Sequence, residues 1–420
     1  MIKATLAAAL ITVTLQTYAD AQTELGSPAN QVVQWNKNFL SIVRTPGAQP
    51  ATIHPTRSFA MMHAAIFDAV NSIDRGHHKY RVEVAGLPSD TSPDAAAASA
   101  AHEVLIALYP KFQATLDSEL EQSLAQISNG VGKDRGVGLG QLVADQIIAL
   151  RSNDGSAVQP AAFVFGKAPG DYQSTPSNFP KPQLTEWSKV TPFALHSASE
   201  FRPAPPPTLT SSSYTAALDE VKSLGIAHST AVTTDQEIAG RFWNGAIQNC
   251  WNEIAQTAAL DNRLTTAQSA RLFALLNVTF ADGVIAFYDA KYTHVFWRPV
   301  TAIRAAATDN NRETAADPNW LPEVGNTTSN PSYPGAHAVI STAAAVVLSS
   351  FLGSDQFSFN VTSEVLAGIQ RSFATFSGAA EDATLSRIFA GVHFRTDLTA
   401  GQELGNDVAT FVLSNLLTPQ

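Results

Sequence analysis

The chain has 420 residues, 45% hydrophobic and 15% charged, which is enough apolar matter for one large or two ordinary packed domains and unlike a disordered chain. A formal net charge of -10, with no basic run to offset it, argues against nucleic acid and anionic membrane as partners. Any anion the protein binds must be met by a local cluster of cations.

The N-terminus, "MIKATLAAALITVTLQTYADAQTELG", carries one early lysine, an apolar stretch from Ala4 to Leu15 and a small-x-small site at Ala19 and Ala21. This predicts a secretory signal over residues 1–21, too short to span a membrane, and hence a secreted or periplasmic protein. The lone cysteine, Cys250, excludes an intramolecular disulfide and reads as an inert buried thiol.

Residues 22–155 read as an N-terminal helical half. "HPTRSFAMMHAAIFDAVNSID" spaces Phe59, Met62, Ile66, Phe67 and Val70 at helical intervals behind Pro55, and "DAAAASAAHEVLIALYP", "FQATLDSELEQSLAQI" and "GVGLGQLVADQIIALRS" keep the same period. Residues 156–210 change texture to prolines and aromatics, as in "FRPAPPPTL", and predict a long packed crossing loop. Residues 211–420 return to helical periodicity through "GAHAVISTAAAVVLSSFL", "VTSEVLAGIQRSFATF" and "DLTAGQELGNDVATFVLSNLL". Strand signals are sparse, and the fold class is all-α, a helical-bundle protein of two helical halves.

Three segments of the second half concentrate polar groups among apolar ones. In "KYTHVFWRP", Lys291 and Arg298 are seven apart, two turns along one helical face, and would repel unless an anion lies between them. In "PSYPGAHA", a small-residue turn at Gly335 and Ala336 opens an apolar helix and leaves backbone N–H groups free for an anion, with His337 beside them. In "SRIFAGVHFRTD", helical spacing sets Asp397 one turn beyond His393, so its carboxylate can take the Nδ1 proton and leave Nε2 as ligand or nucleophile. Arg387 can reach the same cavity. Three cations, two imidazoles and a set of backbone donors suit a tetrahedral or trigonal oxyanion.

The order Lys-x6-Arg-Pro, Pro-Ser-Gly-His, Ser-Arg-x5-His-x3-Asp resembles the three-part signature shared by vanadium-dependent haloperoxidases and type 2 phosphatidic acid phosphatases. The first part is complete at Lys291, Arg298 and Pro299, and the third at Ser386, Arg387, His393 and Asp397. The wording of the segments, together with "RSFAMMHAAIFDAVN" and the proline-rich middle, is similar to the haloperoxidase branch over most of the mature chain. One departure stands out: the motif's second part reads Pro334-Gly335-Ala336-His337, without its serine. The missing hydroxyl removes one hydrogen bond to a charged group, worth roughly 1.5 to 3 kcal/mol.

The resemblance implies vanadate as cofactor, with phosphate able to compete for the site. His393 would be the metal ligand, with Lys291, Arg298, Arg387, Gly335 and the Ala336 N–H around the oxygens. His337 would be the acid–base residue, Lys291 would polarise bound peroxide, and Asp397 would orient His393. The implied partners are hydrogen peroxide, a halide and a small organic acceptor, and assembly into a homo-oligomer stays open. Tyr288 and Trp297 are candidates for the cavity wall. Asn330, five before Gly335 and neither aromatic nor histidine, leans the halide preference toward bromide or iodide over chloride. Two alternatives remain: an acid phosphatase working through a phosphohistidine at His393, with His337 protonating the leaving alcohol, and an inactive oxyanion-binding relative. Among other residues, His294 could line the cavity, Glu253 is the candidate acidic partner of Arg387, and His63 and His102, within helical patterns, read as packed or partly solvated.

Overall fold

The computed structural model describes residues 30–50 and 52–420, so the signal sequence expected at residues 1–21 lies outside the described part. Its helices, in chain order, are α1 (Gln31–Arg44), α2 (Pro55–Asp74), α3 (Pro93–Leu108), α4 (Gln113–Ala125), α5 (Val131–Arg151), α6 (Ser212–Leu224), α7 (Thr234–Phe242), α8 (Ile247–Asp261), α9 (Thr266–His294), α10 (Pro299–Arg304) and α11 (Ala336–Leu352). A hairpin of β1 (Gln356–Thr362) and β2 (Gln370–Thr375) follows, then α12 (Phe376–Phe389) and α13 (Arg395–Asn415). The architecture is all-α, with that hairpin as its one named sheet among the described residues.

The helix starts follow local chemistry. Pro55 opens α2 behind His54, whose side chain accepts the Thr56 N–H, and Thr265 and Gln268 form a capping box at the start of α9. Apolar on all sides, α9 has the length and composition of a membrane span, yet it is buried inside the protein, packed on α2, α11 and α13. A single large apolar cluster takes side chains from α1, α2, α3 and α5 as well as α8, α9, α11 and α13, so both helical halves share it. A second, smaller cluster joins α6 and α10 to Tyr333, Phe394 and Leu398 and flanks the polar segments.

Residues 156–210 are pinned by backbone hydrogen bonds. Asp282 of α9, fully buried, accepts the N–H groups of Phe193, Ala194 and Leu195 at 2.6, 2.7 and 2.8 Å. Just past the end of α9, the Tyr172 N–H donates to Val295 O and the Trp297 N–H to Gly170 O. The crossing thereby clasps the end of α9 that carries Lys291.

One segment departs from the helical expectation. "VTSEVLAGIQRSFATF" spans the end of β1, the hairpin tip and β2, and reaches α12 only at its last residue. The period of two in "QFSFNVT" sets Phe357, Phe359 and Val361 on one face, and Phe357 and Phe359 stack on Phe376. Gly353 ends α11 at φ 73° and Gly368 turns the hairpin tip at φ 81°, both in the left-handed region that glycine enters without strain.

Candidate active site

Lys291 and Arg298 do meet, but by a route other than one helical face. The helix α9 stops at His294, Val295 takes a left-handed φ of 48°, and Arg298 becomes the N-cap of α10. Such a backbone is rare for a β-branched residue. It is held by the Val295 N–H on Lys291 O and the Tyr172 N–H on Val295 O.

Both cations are buried, 0% and 1% exposed, and both are held by neutral oxygens. The Lys291 ammonium donates to the carbonyls of Pro331 and Ser332 at 2.6 and 2.9 Å. Arg298 donates Nε–H to Asn330 O and Nη2–H to Asn330 Oδ1, each at 2.8 Å. Its Nη1 donates to Val392 O at 3.0 Å and lies 3.2 Å from His393 Nε2.

His393 sits in the turn before α13, and its Nδ1 faces Asp397 Oδ2 at 2.9 Å. Asp397, in the first turn of α13, also accepts the Phe394 N–H at 3.1 Å and the Ser332 hydroxyl at 2.5 Å. The pairing expected from helical spacing is therefore made across a helix start. It fixes the tautomer: Nδ1 carries the proton and Nε2 keeps its lone pair, facing Arg298. Burial, with Arg298, Lys291 and Arg387 adding to it, holds the imidazole well below its usual pKa, so it is neutral.

The turn at Gly335 is fastened to the same helix by the Gly335 N–H on Asp397 O at 2.8 Å. No side chain caps α11, so the N–H groups of its first turn, beginning at Ala336, remain available to an anion. His337, on that turn, donates Nε2–H to Trp243 O at 2.7 Å, which leaves Nδ1 as its basic atom. Burial first, then the charge of Arg387, brings its pKa down to about 3.

Arg387 comes from α12 and is 3% exposed. Its Nη2 donates to Asn244 Oδ1 at 2.8 Å and its Nη1 has no partner. The acidic partner expected for it is not Glu253, which pairs with Arg44 at the surface at 2.9 Å. A neutral amide stands there instead, and burial lowers the guanidinium pKa to about 9.

Trp243 and Asn244, in the link from α7 to α8, thus touch both His337 and Arg387. The Trp243 indole donates to Asp382 Oδ2 at 2.7 Å. Asp382 is gripped in turn by Arg371 of β2 at 2.8 Å through each of its oxygens, and Arg371 reaches outward to Asp235 at 2.8 and 3.1 Å.

The other sequence candidates divide between the edge of the site and the surrounding fold. His294 is turned away to Pro203 O at 3.1 Å. Trp297 stacks on Tyr214, with ring centroids 6.5 Å apart, in the smaller apolar cluster. Tyr288 packs on Phe287 and Tyr292, near enough to Arg298 for the guanidinium to oppose the rise that burial gives its pKa. Asn330 clamps Arg298. His63 is fully buried on Asn36 Oδ1 at 2.9 Å, and His102 pairs with Asp117 at 2.8 Å.

The cluster holds three buried cations and one buried carboxylate, an imbalance that an oxyanion would offset. Arg387 Nη1 is an orphaned donor beside it, and the His393 Nε2 lone pair faces Arg298 Nη1 at 3.2 Å, a contact that a ligated oxyanion would replace. Among the described residues no group of three or more His, Cys, Asp or Glu is placed to hold a bare metal cation. The donor set fits a metal delivered as an oxyanion and ligated through one histidine.

Residues 271–418 match the family model described as the VCPO second helical-bundle domain. Over 495 aligned residues the chain is 24% identical to the vanadium chloroperoxidase of Curvularia inaequalis, covering 89% of this chain and 80% of that protein. Among solved structures it superposes on the first bacterial vanadium-dependent iodoperoxidase with a TM-score of 0.77 at 25% identity, covering 92% of this chain and 96% of that one. A holo-type bacterial vanadium-dependent chloroperoxidase shares the fold with a TM-score of 0.68 at 16% identity, covering 91% and 96%. Residues 271–418 thus resemble a VCPO-type second helical-bundle domain, and the chain as a whole is similar in fold to solved vanadium-dependent haloperoxidases.

Proposed function

We propose that the protein is a vanadate-dependent haloperoxidase that uses hydrogen peroxide to oxidise a halide to hypohalous acid, which then passes the halogen to a small organic acceptor. The observation that carries this reading is the convergence on one buried site of His393, its Nδ1 proton committed to Asp397, and three basic side chains whose partners are all neutral.

His393 Nε2 would hold vanadate, with Lys291, Arg298, Arg387 and the Ala336 N–H on its oxygens. When bound, vanadate supplies Lewis acidity that activates peroxide toward halide without changing its own oxidation state. The protein's own part is electrostatic and positional. Because Lys291 and Arg298 are held by carbonyl and amide oxygens, their charge is left for the anion. Asp397 keeps the Nδ1 proton on His393, so Nε2 stays a donor atom. His337, neutral and held through Nε2–H by Trp243 O, presents Nδ1 as the atom that takes a proton from peroxide. Lys291 has a third N–H beyond its two carbonyl partners with which to polarise the bound oxidant. Export of the mature protein belongs to this reading on the N-terminal sequence alone.

The test is a halogenation assay with hydrogen peroxide and bromide or iodide, run with added vanadate, with added phosphate and with neither. Vanadate-dependent halogenation that phosphate suppresses supports the proposal. No halogenation, with hydrolysis of p-nitrophenyl phosphate that vanadate inhibits, would move the protein to the phosphatase branch.

A further inference from the structure

The segment Asn330–Ser332 touches all the charged parts of the site except Arg387. Asn330 holds Arg298 through two oxygens, the carbonyls of Pro331 and Ser332 hold Lys291, and the Ser332 hydroxyl donates to Asp397 Oδ2 at 2.5 Å. Ser332 is fully buried, and its Oγ also lies 3.4 Å from His393 Nδ1. Since Nδ1 already gives its proton to Asp397, the hydroxyl has one acceptor suited to it, the carboxylate oxygen.

The three hydrogen bonds on Asp397 all converge on Oδ2, and Oδ1 is buried without a partner. A carboxylate with both oxygens engaged cannot turn about its Cβ–Cγ bond. One engaged through a single oxygen is oriented only by the donors on that oxygen. Of these, the Phe394 N–H comes from the same helix start and the His393 Nδ1–H is the bond to be oriented. Ser332 is the donor that comes from another part of the chain.

We infer that Ser332 is a positioning residue: its hydroxyl aims Asp397 at His393 and thereby aims Nε2 at the oxyanion, tying this to the same segment that places Lys291 and Arg298. The motif turn lacks a hydroxyl at Gly335, and the chain carries one three residues earlier, acting on the histidine's partner rather than on the anion. The inference rests on the oxyanion reading of the site.

The test is S332A, a small deletion that leaves Asp397 two donors. Three quantities are measured on full-length mature protein: vanadate and inorganic phosphate affinity by calorimetry, the thermal midpoint, and the ¹⁵N shifts of the His393 ring. Removal of a partner in the outer shell of a metal ligand typically costs about 10- to 100-fold in affinity. We expect about a tenfold loss for both anions, an almost unchanged midpoint, and ring nitrogens shifted toward a mixture of tautomers. In a D397N background the S332A change should cost little further, because the two residues act as one unit. A lowered midpoint with affinity and ring shifts unchanged would make Ser332 a packing residue and overturn the inference alone. Wild-type protein that binds neither anion would overturn the oxyanion reading and the inference with it.

Discussion

Gly335 donates its backbone N–H to the carbonyl oxygen of Asp397 at 2.8 Å, so the turn that opens α11 is fastened to the first turn of α13. A β-carbon at Gly335 would lie 3.0 Å from Leu398 Cδ2 and 3.3 Å from Asp397 O. The absent motif serine is therefore a matter of packing as well as of chemistry.

The variant G335S restores the hydroxyl. The tip of Leu398 is flexible and needs to give by only a few tenths of an ångström. A regained hydrogen bond to a charged group is worth roughly 1.5 to 3 kcal/mol, and we expect vanadate and phosphate to bind about tenfold more tightly once the Leu398 shift is offset. Calorimetry with both anions checks this; weaker binding would mean that Leu398 or the Asp397 carbonyl cannot yield.

H393A and H337A should fail differently. On the proposed reading, loss of the His393 lone pair removes the atom that would hold vanadate, so vanadate affinity should fall by about 100-fold or more. H337A removes a group that hydrogen-bonds the protein through Trp243 O, so vanadate affinity should stay within about tenfold while halogenation falls by two orders of magnitude or more. Vanadate titrations beside steady-state rates separate the two, and an H337A variant with full turnover would remove His337 from the acid–base role.

His63 predicts an acid sensitivity of the fold. It is fully buried, stacked on Phe273, with Nε2 on Asn36 and Nδ1 unpartnered, and burial lowers its pKa to about 3. An unfolded chain takes up this proton below about pH 6.5 and the folded one does not until near pH 3, so stability falls as the pH drops between those values. At pH 5 the loss from this group is about 2 kcal/mol. Urea unfolding at pH 7 and pH 5 should show H63Q losing less than wild type by that amount; equal losses would mean that His63 titrates normally.

Asp282 anchors the crossing segment through three backbone N–H groups. In D282N the amide nitrogen would face donors, leaving at least one buried N–H unpaired, at a cost of about 2 to 4 kcal/mol. Denaturation should register that loss, and amide exchange at Phe193–Leu195 should accelerate. Unchanged exchange would show that the crossing is held by its other contacts.

Much of the site was legible because its chemistry is unusual for a core. Lys291, Arg298, Arg387 and His393 are polar groups in apolar segments, and burial there calls for an anion or for polar partners brought in from elsewhere in the fold. The spacing argument for Lys291 and Arg298 reached the right neighbours through the wrong geometry: the left-handed Val295 breaks α9, and nothing local in "THVF" announces it. The hairpin was hidden because "VTSEVLAGIQRSFATF" has enough apolar residues to mimic a helix, while the alternation in the preceding "QFSFNVT" carries the strand signal. Asn330, Ser332 and Asn244 could not be assigned from sequence, since their roles come from oxygens presented across the fold. The Glu253 pairing failed for a related reason: a buried guanidinium needs an acceptor, and an amide supplies one as well as a carboxylate.

The side chain of Asp235 is 75% exposed and that of Arg371 only 12%, so the chain of contacts from Asp235 through Arg371, Asp382 and Trp243 to His337 runs from solvent into the protein. Its outermost link is open to screening by salt, while the inner ones lie between groups that are buried or partly buried. A charge reversal at Asp235 would leave Arg371 still paired with Asp382, so the hold on Trp243 does not depend on the outermost ion pair. The hairpin that the sequence concealed thereby braces, through Arg371 and Asp382, the residue whose carbonyl holds His337.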